Sequence, residues 1–97
     1  MEFTEHCMRC RNRFGEDFDY VHRWLDEFYG VSPYGTKHRK LRHHKKGIEE
    51  VLQRWGNRAA DAARLHILDD LQTGEDRKAD EYWIAENEAD YVKRGYW

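Results

Sequence analysis

Residues 57–74, with the sequence NRAADAARLHILDDLQTG, carry the pattern that decides the fold. Apolar residues recur here at helical spacing, so that they share one face. Asn57 is a good N-cap, and Thr73-Gly74 is a typical helix end. We therefore predict a helix whose first half has small alanine side chains and so lets another helix approach closely. Its apolar face consists of Ala60, Ala63, Ile67, Leu68 and Leu71.

The segments before this helix show the same spacing. A first helix is predicted to end at Gly15, and a second to run from an Asp17 N-cap to Gly30. The apolar faces are Phe3, Cys7, Cys10 and Phe14 in the first, and Phe18, Val21, Leu25 and Phe28 in the second. After a loop at residues 31–35, Thr36 is predicted to cap a long helix that ends near Trp55. Its apolar stripe is Leu41, His44, Ile48, Val51, Leu52 and Trp55.

A last helix is predicted from Asp76 or Asp80 to Lys93, with Tyr82, Ala85, Ala89 and Val92 in register. A single proline and long stretches without turn residues argue against an all-β chain. The sequence thus predicts an all-α fold, a compact bundle of four to five helices. The 97 residues leave room for one domain only, residues 1–97.

Composition excludes several classes of protein. Seventeen Lys and Arg against 19 Asp and Glu give a net charge of −2, which excludes a strongly basic nucleic-acid binder and an acidic tail protein. The sequence contains neither a signal-peptide core nor 18 consecutive apolar residues, so no membrane association is expected. With only two cysteines, three residues apart, no disulfide framework is expected. We therefore predict a cytoplasmic protein.

Charge is distributed unevenly between the two halves of the chain. Residues 1–46 have a net charge of +3 and residues 47–97 a net charge of −5. This asymmetry can steer a partner, or can pair two copies head to tail as a homodimer.

Six histidines are the compositional oddity, and several stand at metal-ligand spacing. His22 and Asp26, and likewise His66 and Asp70, are four residues apart and so share a helix face, with Cβ atoms about 5–6 Å apart. His6 and Cys10 have the same spacing. Bundles build metal sites from such side chains on facing helices. Imidazole with carboxylate suits Zn, Fe, Mn or Ni.

The predicted metal ligands are therefore His22, Asp26, His43, His44, His66 and Asp70. On a continuous helix His44 lies in the apolar stripe while His43 points away from it, so both cannot face one narrow core. Gly47, one turn after His43, would let a neighbouring backbone approach that second flank. The alternative is that the His-Asp pairs are ordinary surface pairs of a bundle without a ligand.

A Cys2His2 zinc site is also suggested by residue type, with Cys7 and Cys10 as the cysteines and His38 and His43 as the histidines. The 27 residues between the second cysteine and the first histidine exceed the usual finger spacing, which is about 12–15 residues. Both cysteines also fit the apolar face of the first helix, which favours packing in the core.

Residues 37–46 hold six Lys or Arg and three His, a run that can bind phosphates. The second functional hypothesis is accordingly a non-enzymatic interaction module that contacts nucleic acid or an acidic protein surface. Its contact residues would be Arg39, Lys40, Arg42, Lys45 and Lys46. Alternatively, the nine carboxylates between Asp69 and Asp90 neutralise this run within the fold.

The chain also resembles a small uncharacterised domain family that occurs in bacteria and their phages. The resemblance begins at His6, Phe14-Gly15 and the segment 17–26, DFDYVHRWLD. It is most specific in the block 38–48, HRKLRHHKKGI, and continues through His66 and Asp69-Asp70-Leu71 to Trp83. The chain departs from the family in having cysteines at positions 7 and 10 and a shorter loop before the last histidine.

The family brings no established activity, but it implies that one set of polar positions belongs together: His6, His22, Asp26, His38, His43, His44, His66 and Asp70. The His-His doublet departs from the His-Asp doublet of metal-dependent phosphohydrolases, so that activity is not carried over.

The first functional hypothesis is a small helical protein that binds one or two divalent transition-metal ions. The sequence holds no phosphate-binding glycine loop, no GxSxG and no HExxH motif. If the protein is an enzyme, a hydrolase with metal-activated water is the only route that its residues indicate. Arg39 and Arg42 would then orient ligands or bind an anion.

Overall fold

The computed structural model describes residues 3–29, 31, 39–73 and 84–93. These residues form helices and short connections, and they contain no strand, which confirms the all-α fold class. The helices are α1 (Phe3–Phe14), α2 (Asp19–Leu25), α3 (Arg39–Arg42), α4 (Lys45–Trp55), α5 (Asn57–Thr73) and α6 (Glu88–Lys93). None of the described helices is long and apolar enough to cross a membrane.

Helix α5 is the centre of the bundle and contacts α1, α2 and α4. It ends at Thr73 as predicted, but Asn57 is its first helical residue and not its N-cap, since the Gly56 carbonyl accepts the first hydrogen bond of the helix, from the Ala60 N–H group. Four buried alanines let the neighbouring helices come close to its axis. They are Ala59, Ala60, Ala62 and Ala63.

The prediction of one continuous helix over residues 36–55 is wrong. The chain breaks at His43-His44 and forms α3 and α4 instead, while Thr36 lies outside the described residues. His44 is extended (φ −153°, ψ 174°), and its Nδ1 accepts a hydrogen bond from the Gly47 backbone N–H. His44 is therefore the N-cap of α4, and the break turns His43 into the bundle.

Gly47 sits against the backbone that precedes this break. A Cβ at position 47 would overlap severely with the carbonyl oxygen of Arg42 and would lie 2.8 Å from its carbonyl carbon. The expected close approach at Gly47 is thus confirmed, and the approaching backbone belongs to the end of α3.

Substitution of Gly47 by alanine should therefore destabilise the protein. The neighbour is backbone and cannot move as a side chain can, so we expect a loss near the upper end of overpacking costs, about 3 kcal/mol. Urea unfolding gives the free energy of unfolding. The exposed Glu49→Ala variant on the same helix is the control and should change it by less than about 0.5 kcal/mol. An unchanged urea midpoint for Gly47→Ala would contradict the close approach.

Helix α2 is shorter than predicted at both ends. It begins at Asp19, because Phe18 takes a left-handed conformation (φ 54°) that buries its ring in the core. The Asp17 carboxylate is not an N-cap and instead accepts hydrogen bonds from Arg11. The helix ends at Leu25, so Asp26 and Phe28 follow it in a turn, and Gly30 lies outside the described residues.

The last helix is also shorter than predicted, since α6 begins only at Glu88. The predicted start at Asp76 or Asp80 and the residue Tyr82 lie outside the described residues. Residues 84–87 are not helical, because the carbonyls of Ala85 and Glu86 accept the backbone N–H groups of Lys45 and Lys46. They thereby satisfy donors that the first turn of α4 leaves free.

Helix α1 confirms the predicted end at Gly15 (φ 81°), but its buried face differs. Phe3 is 40% exposed, whereas His6 is 1% exposed and lies inside the bundle beside Cys10. The predicted apolar stripe missed this rotation, because the interior at this level is polar. That polar interior is the candidate functional site.

Candidate metal centre

Four histidines and two aspartates fill the centre of the bundle. His6 comes from α1, His22 from α2, His43 from the break before α4, and His66 and Asp70 from α5. Each of the four histidines is at most 1% exposed, and Asp70 is 4% exposed. Asp26 joins them from the C-cap of α2. Burial of so many titratable groups is costly unless they are paired or hold an ion.

At one end of this cluster, the two carboxylates meet His43 and His66. The His43 Nε2–H group donates to Asp26 Oδ1 at 3.0 Å, and His43 Nδ1 lies 3.5 Å from Asp70 Oδ2. His66 Nε2 lies 3.4 Å from Asp26 Oδ2 and 3.3 Å from Asp70 Oδ2, and it makes no hydrogen bond. We call these four residues the carboxylate end: Asp26, His43, His66 and Asp70.

At the other end, three imidazole rings stack. The His6 and His66 ring centroids are 3.6 Å apart with an interplanar angle of 15°, and His22 lies nearly parallel to both. His22 Nδ1 and His66 Nδ1 are 2.9 Å apart. We call these three residues the imidazole end: His6, His22 and His66. His66 belongs to both ends.

The hydrogen bonds determine where the protons reside. The His22 Nε2–H group donates to the Asp17 carbonyl at 3.0 Å, because a carbonyl can only accept. Neutral His22 therefore accepts at Nδ1 from the His66 Nδ1–H group. His66 Nε2 then faces two carboxylate oxygens, and this arrangement is favourable only when a proton or a metal ion lies at Nε2.

The pKa values agree with this distribution. Burial lowers the pKa of His22 and of His43 from 6.5 to about 4, so both imidazoles are neutral at neutral pH. Burial also opposes a charge on His66, but the facing carboxylates of Asp26 and Asp70 outweigh it and raise its pKa. For Asp70, burial is outweighed by the hydrogen bond from His6 and by the facing His66 imidazole, which lower its pKa. Neutral imidazoles beside ionised carboxylates are the forms in which these groups bind metals.

Both ends meet a geometric criterion for holding an ion. At the carboxylate end, one ligand atom from each residue lies within 4.8 Å of the others, and the same holds for the imidazole end. Among the described residues, buried His and Asp groups that can hold a metal ion are thus present.

The structure brings together five of the six predicted ligands: His22, Asp26, His43, His66 and Asp70. It does not bring His44 to them, since His44 Nδ1 caps α4 and its Nε2–H group donates to the Leu41 carbonyl at 2.9 Å. His6 joins the cluster although it is not one of the six predicted ligands. The family resemblance included His6, and His6-Cys10 spacing was the other signal for an inward-facing position.

The cysteines are not members of either end, and His38 lies outside the described residues. Cys10 is 1% exposed within the apolar core, and burial raises its pKa to about 11. Cys7 is half-buried, and burial also raises its pKa. The predicted role of these cysteines in core packing is therefore confirmed for Cys10.

Thiol reactivity should differ between the two cysteines. Because the thiolate is the reactive form, DTNB at about pH 8 should modify Cys7 and leave Cys10 unmodified in the folded protein. Both thiols should react in urea. Native reaction of a Cys7→Ser variant would show that Cys10 is accessible, and would contradict its buried position.

The basic run is partly neutralised inside the fold. Arg42 Nη1 donates to the Trp24 carbonyl and to Glu27 Oε1, both at 2.6 Å, and its guanidinium lies 4.2 Å from the Trp24 ring centroid. Lys45 Nζ donates to Glu86 Oε1 at 2.8 Å. The side chain of Lys46 is exposed, and those of Arg39 and Lys40 lie outside what the structure describes. Two of the five predicted contact residues, Arg42 and Lys45, are therefore paired with other segments of the fold.

No curated protein and no solved structure matches this chain. The chain does match a family model, described as a domain of unknown function (DUF6915), over residues 1–95. This match covers nearly all of the sequence, including every residue of both ends, and agrees with the predicted resemblance to an uncharacterised small domain family. The chain belongs to the DUF6915 family.

Proposed function

We propose that this protein binds a divalent transition-metal ion at the carboxylate end. The observation that carries the proposal is the spacing of the donor atoms. His66 Nε2 is 3.4 Å and 3.3 Å from the two carboxylate oxygens, and His43 Nδ1 is 3.5 Å from Asp70 Oδ2. Tetrahedral zinc with ligands at about 2.0–2.2 Å separates its donors by about 3.3–3.6 Å.

The surrounding hydrogen bonds support the same conclusion. The His66 Nδ1–H group is held by His22, and Asp70 Oδ1 accepts from the His6 Nε2–H group at 3.1 Å. Asp26 Oδ1 accepts from His43 in the same way. Outer partners of this kind fix the orientation of metal ligands and of their lone pairs. Two imidazoles with two carboxylates favour Zn, Fe, Mn or Ni over Ca or Mg.

The coordination favours a structural ion. Four protein donors fill a tetrahedral site, whereas a hydrolytic ion keeps one position for water. Asp26 is the donor with the most exposed side chain, at 27%, against 5% or less for the other three. A hydrolase would therefore have to admit water and substrate beside Asp26, and that activity stays a hypothesis. An interaction through the basic run stays a weaker one, because Arg42 and Lys45 are already paired.

The test compares two adjacent aspartates that are almost equally buried. Asp69 and Asp70 are both 4% exposed, but Asp69 pairs with Arg9 outside the cluster, with an Nε–Oδ2 distance of 3.1 Å. Asp70→Asn should weaken zinc binding by at least about 100-fold, since it removes a charged ligand. Asp69→Asn should retain the affinity of the unsubstituted protein.

Metal content by elemental mass spectrometry and zinc affinity by competition with a chromophoric chelator are the measurements. Circular dichroism confirms that both variants fold. Protein that takes up no zinc, or equal affinity of the two variants, would contradict the proposed site.

A further inference from the structure

The imidazole end contains donor groups that a single ion at the carboxylate end leaves unused. His6, His22 and His66 each offer a nitrogen within 4.8 Å of the other two. All three side chains are at most 1% exposed. Neutral imidazole is the commonest side-chain ligand of transition-metal ions.

Two lone pairs are available at this end. His22 uses its Nε2–H group for the Asp17 carbonyl, so its Nδ1 carries a lone pair. His6 uses its Nε2–H group for Asp70 Oδ1, so its lone pair is on Nδ1. His6 Nδ1 is fully buried and makes no hydrogen bond. A buried nitrogen without a partner costs free energy and indicates a missing partner.

His66 connects the two ends through its ring. Its Nε2 faces the carboxylates of Asp26 and Asp70, while its Nδ1 lies 2.9 Å from His22 Nδ1. Each nitrogen therefore faces a different group of donors.

We propose, building on the metal site proposed above, that His6, His22 and His66 bind a second divalent transition-metal ion. His66 then bridges the two ions as an imidazolate, with Nε2 on the first and Nδ1 on the second. Binding of the second ion breaks the His66 Nδ1–H bond, and the proton leaves to water. Asp26, Asp70 and the imidazolate offset three of the four positive charges of the two ions.

The experiment titrates metal-free protein with Cu²⁺ and follows it by native mass spectrometry and by electron paramagnetic resonance. Two ions should bind to each chain. The resonance signal should rise with the first equivalent and fall with the second, because two Cu²⁺ ions that share an imidazolate couple antiferromagnetically. His22→Gln should bind one ion and keep the full signal of uncoupled copper. The control is His44→Asn, which retains an N-cap residue outside both ends and should bind two coupled ions.

The outcomes separate this inference from the proposed function. Uptake of a single ion by the unsubstituted protein would overturn the second site and leave the first intact, whereas no uptake would overturn both. Two ions with an undiminished signal would overturn the bridge through His66. If His22→Gln fails to fold, the stoichiometry and the coupling in the unsubstituted protein still decide the question.

Discussion

Removal of the metal ion proposed at the carboxylate end should lower the melting temperature of the protein by about 15–30 °C. A ligand that binds only the folded state, at a free concentration 1,000 times its dissociation constant, stabilises by about 4 kcal/mol. In a domain of this size each kcal/mol corresponds to about 4–8 °C. The effect is large because the apolar core is small and its centre is occupied by four imidazoles and two carboxylates.

The physical reason is the charge that remains when the ion leaves. Asp26 and Asp70 then face His66 as a cationic partner, and Asp70 does so while it is only 4% exposed. Breaking a buried pair by removing one partner typically costs about 3–5 kcal/mol. Protonation of His66 recovers part of this loss, since the carboxylates raise its pKa.

Scanning calorimetry of zinc-loaded protein, before and after dialysis against a chelator, measures the shift. Zn²⁺ should restore the melting temperature and Mg²⁺ should not, because imidazole ligands do not suit Mg²⁺. The Asp70→Asn variant is the control and should melt at the same temperature with and without chelator. Identical melting of the loaded and the chelated protein would contradict a stabilising ion.

The sequence predicts the fold class and α5 well, because that helix is continuous and its spacing is regular. His66 and Asp70 share its inner face as expected, and the predicted end of the helix at Thr73 agrees with the structure. His22 and Asp26 meet the same cluster, although Asp26 is the C-cap rather than a helical residue. His22 and Asp26 still lie on the same side of α2, because the C-cap residue directly follows the last helical residue.

His43 and His44 show where sequence periodicity fails. Counting positions on one continuous helix places His44 on the apolar stripe, but α3 and α4 are separated at this doublet. His44 is buried as predicted, at 6% exposure, yet as the cap of α4. At the break, Gly47 lies close to the Arg42 carbonyl, and the spacing of apolar residues along a helix cannot predict this contact.

The position of His6 could not be derived from hydrophobic periodicity either. An apolar stripe assumes that the interior is apolar, so it assigns Phe3 and Cys7 to the core and does not include His6. Here the interior is polar at the level of His6, and α1 turns accordingly. A histidine four residues before a buried cysteine was the remaining local signal.

Acid should unfold the metal-free protein well above the pH at which carboxylates titrate. The folded protein keeps His22 and His43 neutral down to about pH 4, whereas unfolded histidines take up protons below about pH 6.5. Between these values the unfolded state binds more protons, so stability falls as pH falls, by about 1.4 kcal/mol per pH unit for each group. His66 has the opposite effect, because its pKa is raised in the folded protein. The stabilisation from His66 is complete below about pH 6.5 and is lost as the pH rises above that value, so it does not change between pH 6.5 and 4.

The lowered pKa of Asp70 has its effect at a lower pH, because that stabilisation is lost only below the ordinary range of an aspartate. The lowered pKa values of His22 and His43 therefore dominate between pH 6.5 and 4, and buried His44, whose pKa is also lowered, acts in the same direction. The combined loss of several kcal/mol is comparable to the whole stability of a small domain. Urea midpoints of chelated protein, measured at intervals across this range, should fall steadily with a constant m-value. His43→Gln removes one of the histidines whose pKa is lowered, a set that also includes His44, and should make the slope clearly shallower, while the exposed Glu49→Ala variant should keep it. A midpoint that does not change between neutral pH and the lower limit would show that His22 and His43 already carry protons in the folded state, and the tautomers deduced from the Asp17 carbonyl and Asp26 would be wrong.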